Sequence, residues 1–171
     1  RARAALVGSP NPSTSDSVYN LGTSVGLYLS TSYSCVGIWQ NDRVEIIPCD
    51  EGKLSSPEEM FECRPYVKMK EAAEAYLGRE VKNAVLAVPA YFSISQRSAA
   101  KEVCDRTGMH VLRLHNSSSV AGVELSMRTE YQNANERNVL ICDLDSVSLL
   151  TIEDGIIEVK ATAGDAHLGE D

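Results

Sequence analysis

Apolar and polar residues alternate in short runs at both ends of this chain and take helical spacing in its middle. Residues 25–29, 34–39 (SCVGIW) and 43–47 (RVEII) predict strands, and Asn41-Asp42-Arg43 separates the last two as a hairpin turn does. LGTS at 21–24 and LSTS at 29–32 form a near-repeat around the first of them. Residues 48–57 read as a loop. Ser56, Pro57, Glu58 and Glu59 then give a cap, a first-turn proline and first-turn acids for a helix over 58–77. Pro65 should kink or restart it. Val67, Ala72, Ala75 and Tyr76 predict its apolar stripe, and Gly78 its C-cap.

The run NAVLAVP (83–89) is continuously apolar and ends in proline, which predicts a strand buried on both faces. A helix over about 95–107 follows, with Ser93 or Ser95 as cap and Gly108 as stop. Then come a strand at 111–114, a polar turn at 115–119, a helical stretch at 120–127 and a polar linker at 128–138. NVLICDL (138–144) predicts another buried strand, and 147–152 and 156–162 predict two more around the turn Glu153-Asp154-Gly155. Residues 1–18, with NPSTSDS at their centre, read as a disordered leader. A mixed sheet with helices on its faces, hence an α/β fold, is the architecture that uses all these signals.

Composition changes this picture little. The chain of 171 residues fits one domain. Its net charge of −8 argues against a nucleic-acid partner. The first 41 residues carry only Arg1, Arg3 and Asp16, so the acidity lies in the body of the chain. The five cysteines, Cys35, Cys49, Cys63, Cys104 and Cys142, include no CxxC, which removes zinc and redox-motif readings. Buried free thiols and a cytoplasmic, reducing compartment fit that spacing. No apolar run reaches 18 residues, so no membrane span is expected.

Candidate chemistry sits in four turns: Ser30-Thr31-Ser32, Pro89 to Ser95, Asn116 to Ser119, and Asp143-Leu144-Asp145-Ser146. Ligands gather at the carboxyl ends of strands in α/β folds. Hydroxyls and turn amides there can cradle phosphate, and Asp143 with Asp145 can present carboxylates to Mg²⁺. Capped turns and solvated acids account for the same spacing. No Walker A, GxGxxG or GxSxG pattern occurs. His110 and His115 flank a strand, and His167 lies in the turn-rich GDAHLGED, so no nucleophile–base pair is assigned and no residue is given a catalytic role.

The segments YSCVGIWQNDRVEII, MKEAAEAYLG, NAVLAVPAYFSISQR, HVLRLHN, ERNVLICDL and LLTIEDGIIEVKATAGDAHLGED, in this order, closely resemble the ATPase domain of the Hsp70 heat-shock chaperones. The resemblance covers roughly residues 26–171. It implies an actin-like, ribonuclease H-like fold of two lobes around a nucleotide cleft. Residues 19–171 then correspond to a partial nucleotide-binding domain: the first lobe and the start of the second, with the rest of the second lobe absent. It also implies a cytosolic, stress-response setting in which ATP hydrolysis controls a separate peptide-binding domain.

Carried over residue by residue, the resemblance preserves few functional groups. The family's first phosphate loop, DLGTTYS, is Tyr28-Leu29-Ser30-Thr31-Ser32-Tyr33-Ser34 here, with Tyr28 for the metal-facing Asp and Ser30 for the glycine. A second register sets Asn20-Leu21-Gly22-Thr23-Ser24 against DLGTT. After EGKLSSP the chain jumps to PEEM, omitting the stretch that carries the family's catalytic lysine. NEPTAAA becomes Asn116-Ser117-Ser118-Ser119-Val120-Ala121-Gly122, and its glutamate becomes Ser117. DLGGGTFDVS is compressed to Asp143 through Ser148, where Asp143 matches the first metal-linked Asp and Asp145 stands for the second. The nucleotide contacts this implies are Ser30, Thr31, Ser32, Asp143 and Gly164, with Asp143 and Asp145 toward the metal. ATP and Mg²⁺, if bound, would be held weakly.

Phosphoryl transfer is positioning plus electrostatics. A chain without these charged groups and glycines is expected not to turn over ATP efficiently. Two readings follow: a non-catalytic structural or protein-binding module that needs a protein partner or larger assembly, or an ATP-binding chaperone fragment that takes part in protein folding. In a third the chain folds poorly on its own.

Overall fold

A computed structural model describes residues 22–29, 34–41, 43–49, 54, 56–127, 136–143, 146–153 and 156–165. The expected leader, Ser30 to Ser32, Asp145 and His167 lie outside the described residues. The fold is α/β, with a five-stranded mixed sheet flanked by helices, as in a single actin-like lobe, and a second sheet of three strands.

The first sheet has strand order β3-β2-β1-β4-β5. Strands β1 (Ser24–Tyr28), β2 (Cys35–Gln40) and β3 (Arg43–Pro48) form an antiparallel meander. Gln40 pairs with Arg43, and Asn41 takes the left-handed conformation (φ 54°) that a two-residue hairpin turn requires. Strand β4 (Asn83–Val88) pairs parallel with β1 and with β5 (His110–Asn116). All six β4 residues are buried, as its unbroken apolar run predicts for a central parallel strand.

The predicted helix over 58–77 is two elements. A 3-10 turn, Pro57–Phe61, ends at Glu62, whose backbone is extended, and α1 (Cys63–Leu77) starts afresh. Pro65 sits in the first turn of α1, where its missing N–H would have no intrahelical partner anyway, so it restarts the helix without kinking it. Tyr66 Oη donates to Met60 O at 2.8 Å and ties the two pieces together. Burial pushes the Tyr66 phenol well above its ordinary range. The expected stripe is corrected: Val67, Ala75 and Tyr76 are exposed, and the buried face is Pro65, Tyr66, Met69 and Ala73. Tyr76 instead donates its hydroxyl to Glu45 of β3. Gly78 closes the helix in the left-handed conformation, its N–H on Glu74 O at 2.8 Å.

Helix α2 (Ile94–Arg106) opens with a reciprocal box: Ser93 Oγ accepts from Gln96 N, and Gln96 Oε1 accepts from Ser93 N. The core lies between α1, α2 and one face of the sheet. Val25, Leu27, Val36, Ile38, Leu86 and Val111 meet Tyr66, Met69, Ala100, Val103 and Cys104 there.

Helix α3 (Ser117–Met127) begins directly at Ser117, so the polar turn expected at 115–119 is strand end and first helical turn. It packs on β4 and β5 on one side. On the other it meets β6 (Arg137–Cys142), β7 (Ser146–Glu153) and β8 (Ile156–Gly164), an antiparallel meander. Within VAGV at 120–123 Gly122 is buried, Val120 and Val123 are half-buried and Ala121 is exposed. Strand β6 is not buried on both faces as its sequence suggested. Leu140 is 62% exposed and Cys142 is exposed, because α3 covers only one side of this sheet.

Candidate functional site

Both sheets contain an antiparallel three-strand meander, so the ends of their first strands can be compared. Tyr28 is the last residue of β1, and Asp143 directly follows β6. The fold brings them together across 115 positions of sequence: Tyr28 Oη donates to Asp143 Oδ2 at 3.1 Å in a partly buried setting. The Asp143 amide donates to Ser146 O at 2.8 Å, and Ser146 lies opposite Gly164 in the β7–β8 register. Tyr28, Asp143, Ser146 and Gly164 thus share one end of the paired meanders.

Two further hydroxyls belong to this end of the fold. Ser34 leads into β2 beside Tyr28's partner Cys35, and its carbonyl accepts from Cys49 N at 3.2 Å. Ser118 lies in the first turn of α3, just past the carboxyl end of β5. They are 2% and 4% exposed, and neither Oγ has a hydrogen-bond partner among the described residues. A buried hydroxyl left unpaired costs about 1–3 kcal/mol. Ser117, which stands for the family's glutamate, opens the same helix and brings no carboxylate.

The two candidate registers of the first phosphate loop fall at opposite ends of β1. Gly22 and Thr23 precede the strand and lie against Lys82 and Asn83, with Thr23 O accepting from both of their amides. Tyr28 stands at the end that meets Asp143.

Asp143 and Gly164 are therefore near neighbours through Ser146, whereas the positions of Ser30, Thr31, Ser32 and Asp145 lie outside the described residues. Among the described residues no group of three or more His, Cys, Asp or Glu side chains is placed to hold a metal ion. A hard dication seeks about six oxygen ligands, carboxylates foremost. At this end Asp143 accepts from the Tyr28 phenol, and a phenol remains a proton donor at neutral pH. The partnership of Tyr28 with Asp143 was not foreseen from sequence. The signal was there in outline, since Tyr28 ends and Asp143 directly follows the first strand of a three-strand meander.

The family model described as Hsp70 protein matches residues 63–171. The chain is 34% identical to a heat shock 70 kDa protein of Neurospora crassa, an alignment that covers 87% of this chain and 35% of that protein. It is 33% identical to a heat shock 70 kDa protein of Ajellomyces capsulatus, over 87% of this chain and 32% of that one. It is 31% identical to heat shock cognate 70 kDa protein 3 of Dictyostelium discoideum, over 86% and 36%. These alignments run to 229 residues, more than the 171 of the chain, so the relatives carry residues within the match that it lacks. The chain spans about a third of the length of these relatives. With both the family match and the identities extending over most of its residues, the chain belongs to the Hsp70 family.

Proposed function

We propose that this chain is a non-catalytic Hsp70-type module, a structural or protein-binding component in a chaperone-related assembly. The observation that carries this reading is the Tyr28–Asp143 hydrogen bond. At the strand end where the resemblance expects a metal-facing carboxylate at position 28, a phenol donates to Asp143 instead. Catalysis of phosphoryl transfer relies on preorganised charge around the phosphates. A neutral donor in place of a carboxylate removes part of that charge, and Ser117 in place of glutamate removes more. The reading includes a protein partner, a cytoplasmic setting compatible with the free cysteines, and no nucleic-acid ligand for a chain of charge −8. No described helix is long and apolar enough to cross a membrane.

The second reading, an ATP-binding chaperone fragment active in protein folding, has one observation in its favour. The hydroxyls of Ser34 and Ser118, unpartnered among the described residues, could donate to phosphate oxygens. Single-turnover incubation with γ-labelled ATP and Mg²⁺ decides between them. The non-catalytic reading expects phosphate release indistinguishable from buffer. Release that is abolished by Asp143→Ala would establish the second reading instead.

A further inference from the structure

We propose that the Tyr28–Asp143 hydrogen bond is a clasp that holds the two meanders together without a divalent cation. The inference rests on the non-catalytic reading and specifies what the altered strand end does in place of binding. Tyr28 ends β1 in the five-stranded sheet, and Asp143 follows β6 in the three-stranded one. Helix α3 contacts the same two sheets through β4, β5, β6, β7 and β8. The Tyr28 hydroxyl joins strand ends, so it restrains a motion that α3 alone leaves free: the opening of one meander's end from the other. Asp143 is itself set by its amide on Ser146 O, which also aligns the β7–β8 end through the Ser146–Gly164 pairing. A carboxylate at position 28 would face Asp143 with like charge and separate from it unless a cation lay between them. The phenol removes that requirement. Its proton occupies the place of the counter-charge, and the closed arrangement is then the resting state of the chain.

Amide hydrogen exchange on the full chain tests this. Removing only the hydroxyl, as in Tyr28→Phe, should speed exchange about tenfold at the amides near Cys35 and near Asp143 to Val147, on both sheets together, with β4 amides unchanged. Asp143→Ala should produce the same pattern, and the double variant should add nothing to either single one. Excess Mg²⁺ should leave exchange in the wild-type chain unaltered. In Tyr28→Asp exchange should be fast without cation and slowed again by Mg²⁺ alone. The clasp is refuted if Tyr28→Phe leaves both sheet ends as protected as before, or if its effect stays on one sheet. It is equally refuted if Mg²⁺ protects the wild-type chain. The cycle of Tyr28→Phe and Asp143→Ala stands even where Tyr28→Asp fails to fold. Release of phosphate from ATP with the two-sided exchange response intact would remove the non-catalytic reading alone. An absent response with no ATP turnover would remove the clasp alone.

Discussion

Gly122 of α3 packs against Leu150 and Ile157 of the three-stranded sheet, and a methyl group there has no room. A Cβ built on Gly122 lies 2.8 Å from Leu150 Cδ1 and 3.3 Å from Ile157 Cγ2. Carbon atoms in favourable contact are about 3.5–4.0 Å apart. Leu150 is 0% exposed, so it can retreat only by displacing its own neighbours. Overpacking of this kind costs about 1–3 kcal/mol. Gly122→Ala also gains about 1 kcal/mol of helix propensity, so the two terms nearly cancel at the low end of the range. Gly122→Val keeps the clash, adds two methyl groups and recovers less propensity. It should lose about 2 kcal/mol or more, a fall in Tm of roughly 4–8 °C for a chain of this size. Urea unfolding followed by circular dichroism measures it. Combining Gly122→Ala with Leu150→Val, which shortens the obstructing side chain, should cost less than the two single changes summed. If Gly122→Val is as stable as the wild type, α3 does not seat on β7 through this turn, and the packing of the two sheets around it is wrong.

The buried face of α1 separates two substitutions: Met69→Ala should cost about 2–5 kcal/mol in urea unfolding, and Val67→Ala, on an exposed site, within about 0.5 kcal/mol. Asp105 gives a pH dependence. Burial raises its carboxyl, but Lys101 and the Val111 amide together outweigh that and leave it below the usual carboxylate range. Its contribution is therefore complete above the unfolded-state pKa of about 3.9 and is lost as pH falls through the lower folded value. Asp105→Asn should flatten this acid limb in a series of unfolding curves, and an unchanged limb would count against the pairing. Burial pushes the Cys104 thiol up to about 12, whereas Cys142 is exposed. Mass mapping after brief alkylation of the native chain at about pH 8 should find Cys142 modified and Cys104 untouched, and both modified after unfolding.

Much of the fold is legible because local chemistry decides it. The apolar run of β4, the Ser93–Gln96 box and Gly78 each specify their element without help from distant residues. The face of α1 was not legible in that way. The stripe through Val67 and the one through Tyr66 and Met69 have the same period, and only the sheet and α2 select between them. Ser117 to Ser119 have the composition of a turn, yet α3 starts there because β5 runs on to Asn116. The open side of β6 depends on which face α3 covers, and an apolar run alone does not encode that. At the candidate site, sequence identified Tyr28 as a lost carboxylate and Asp143 as a retained one. Their hydrogen bond depends on two strands 115 residues apart and became visible only in the fold.

Calorimetric titration of the chain with Mg-ATP tests the central claim most directly, because it reads occupancy of the altered strand end without requiring turnover. The account predicts no saturable heat for the wild-type chain. Saturable binding that depends on Mg²⁺ and disappears in Asp143→Ala would contradict it.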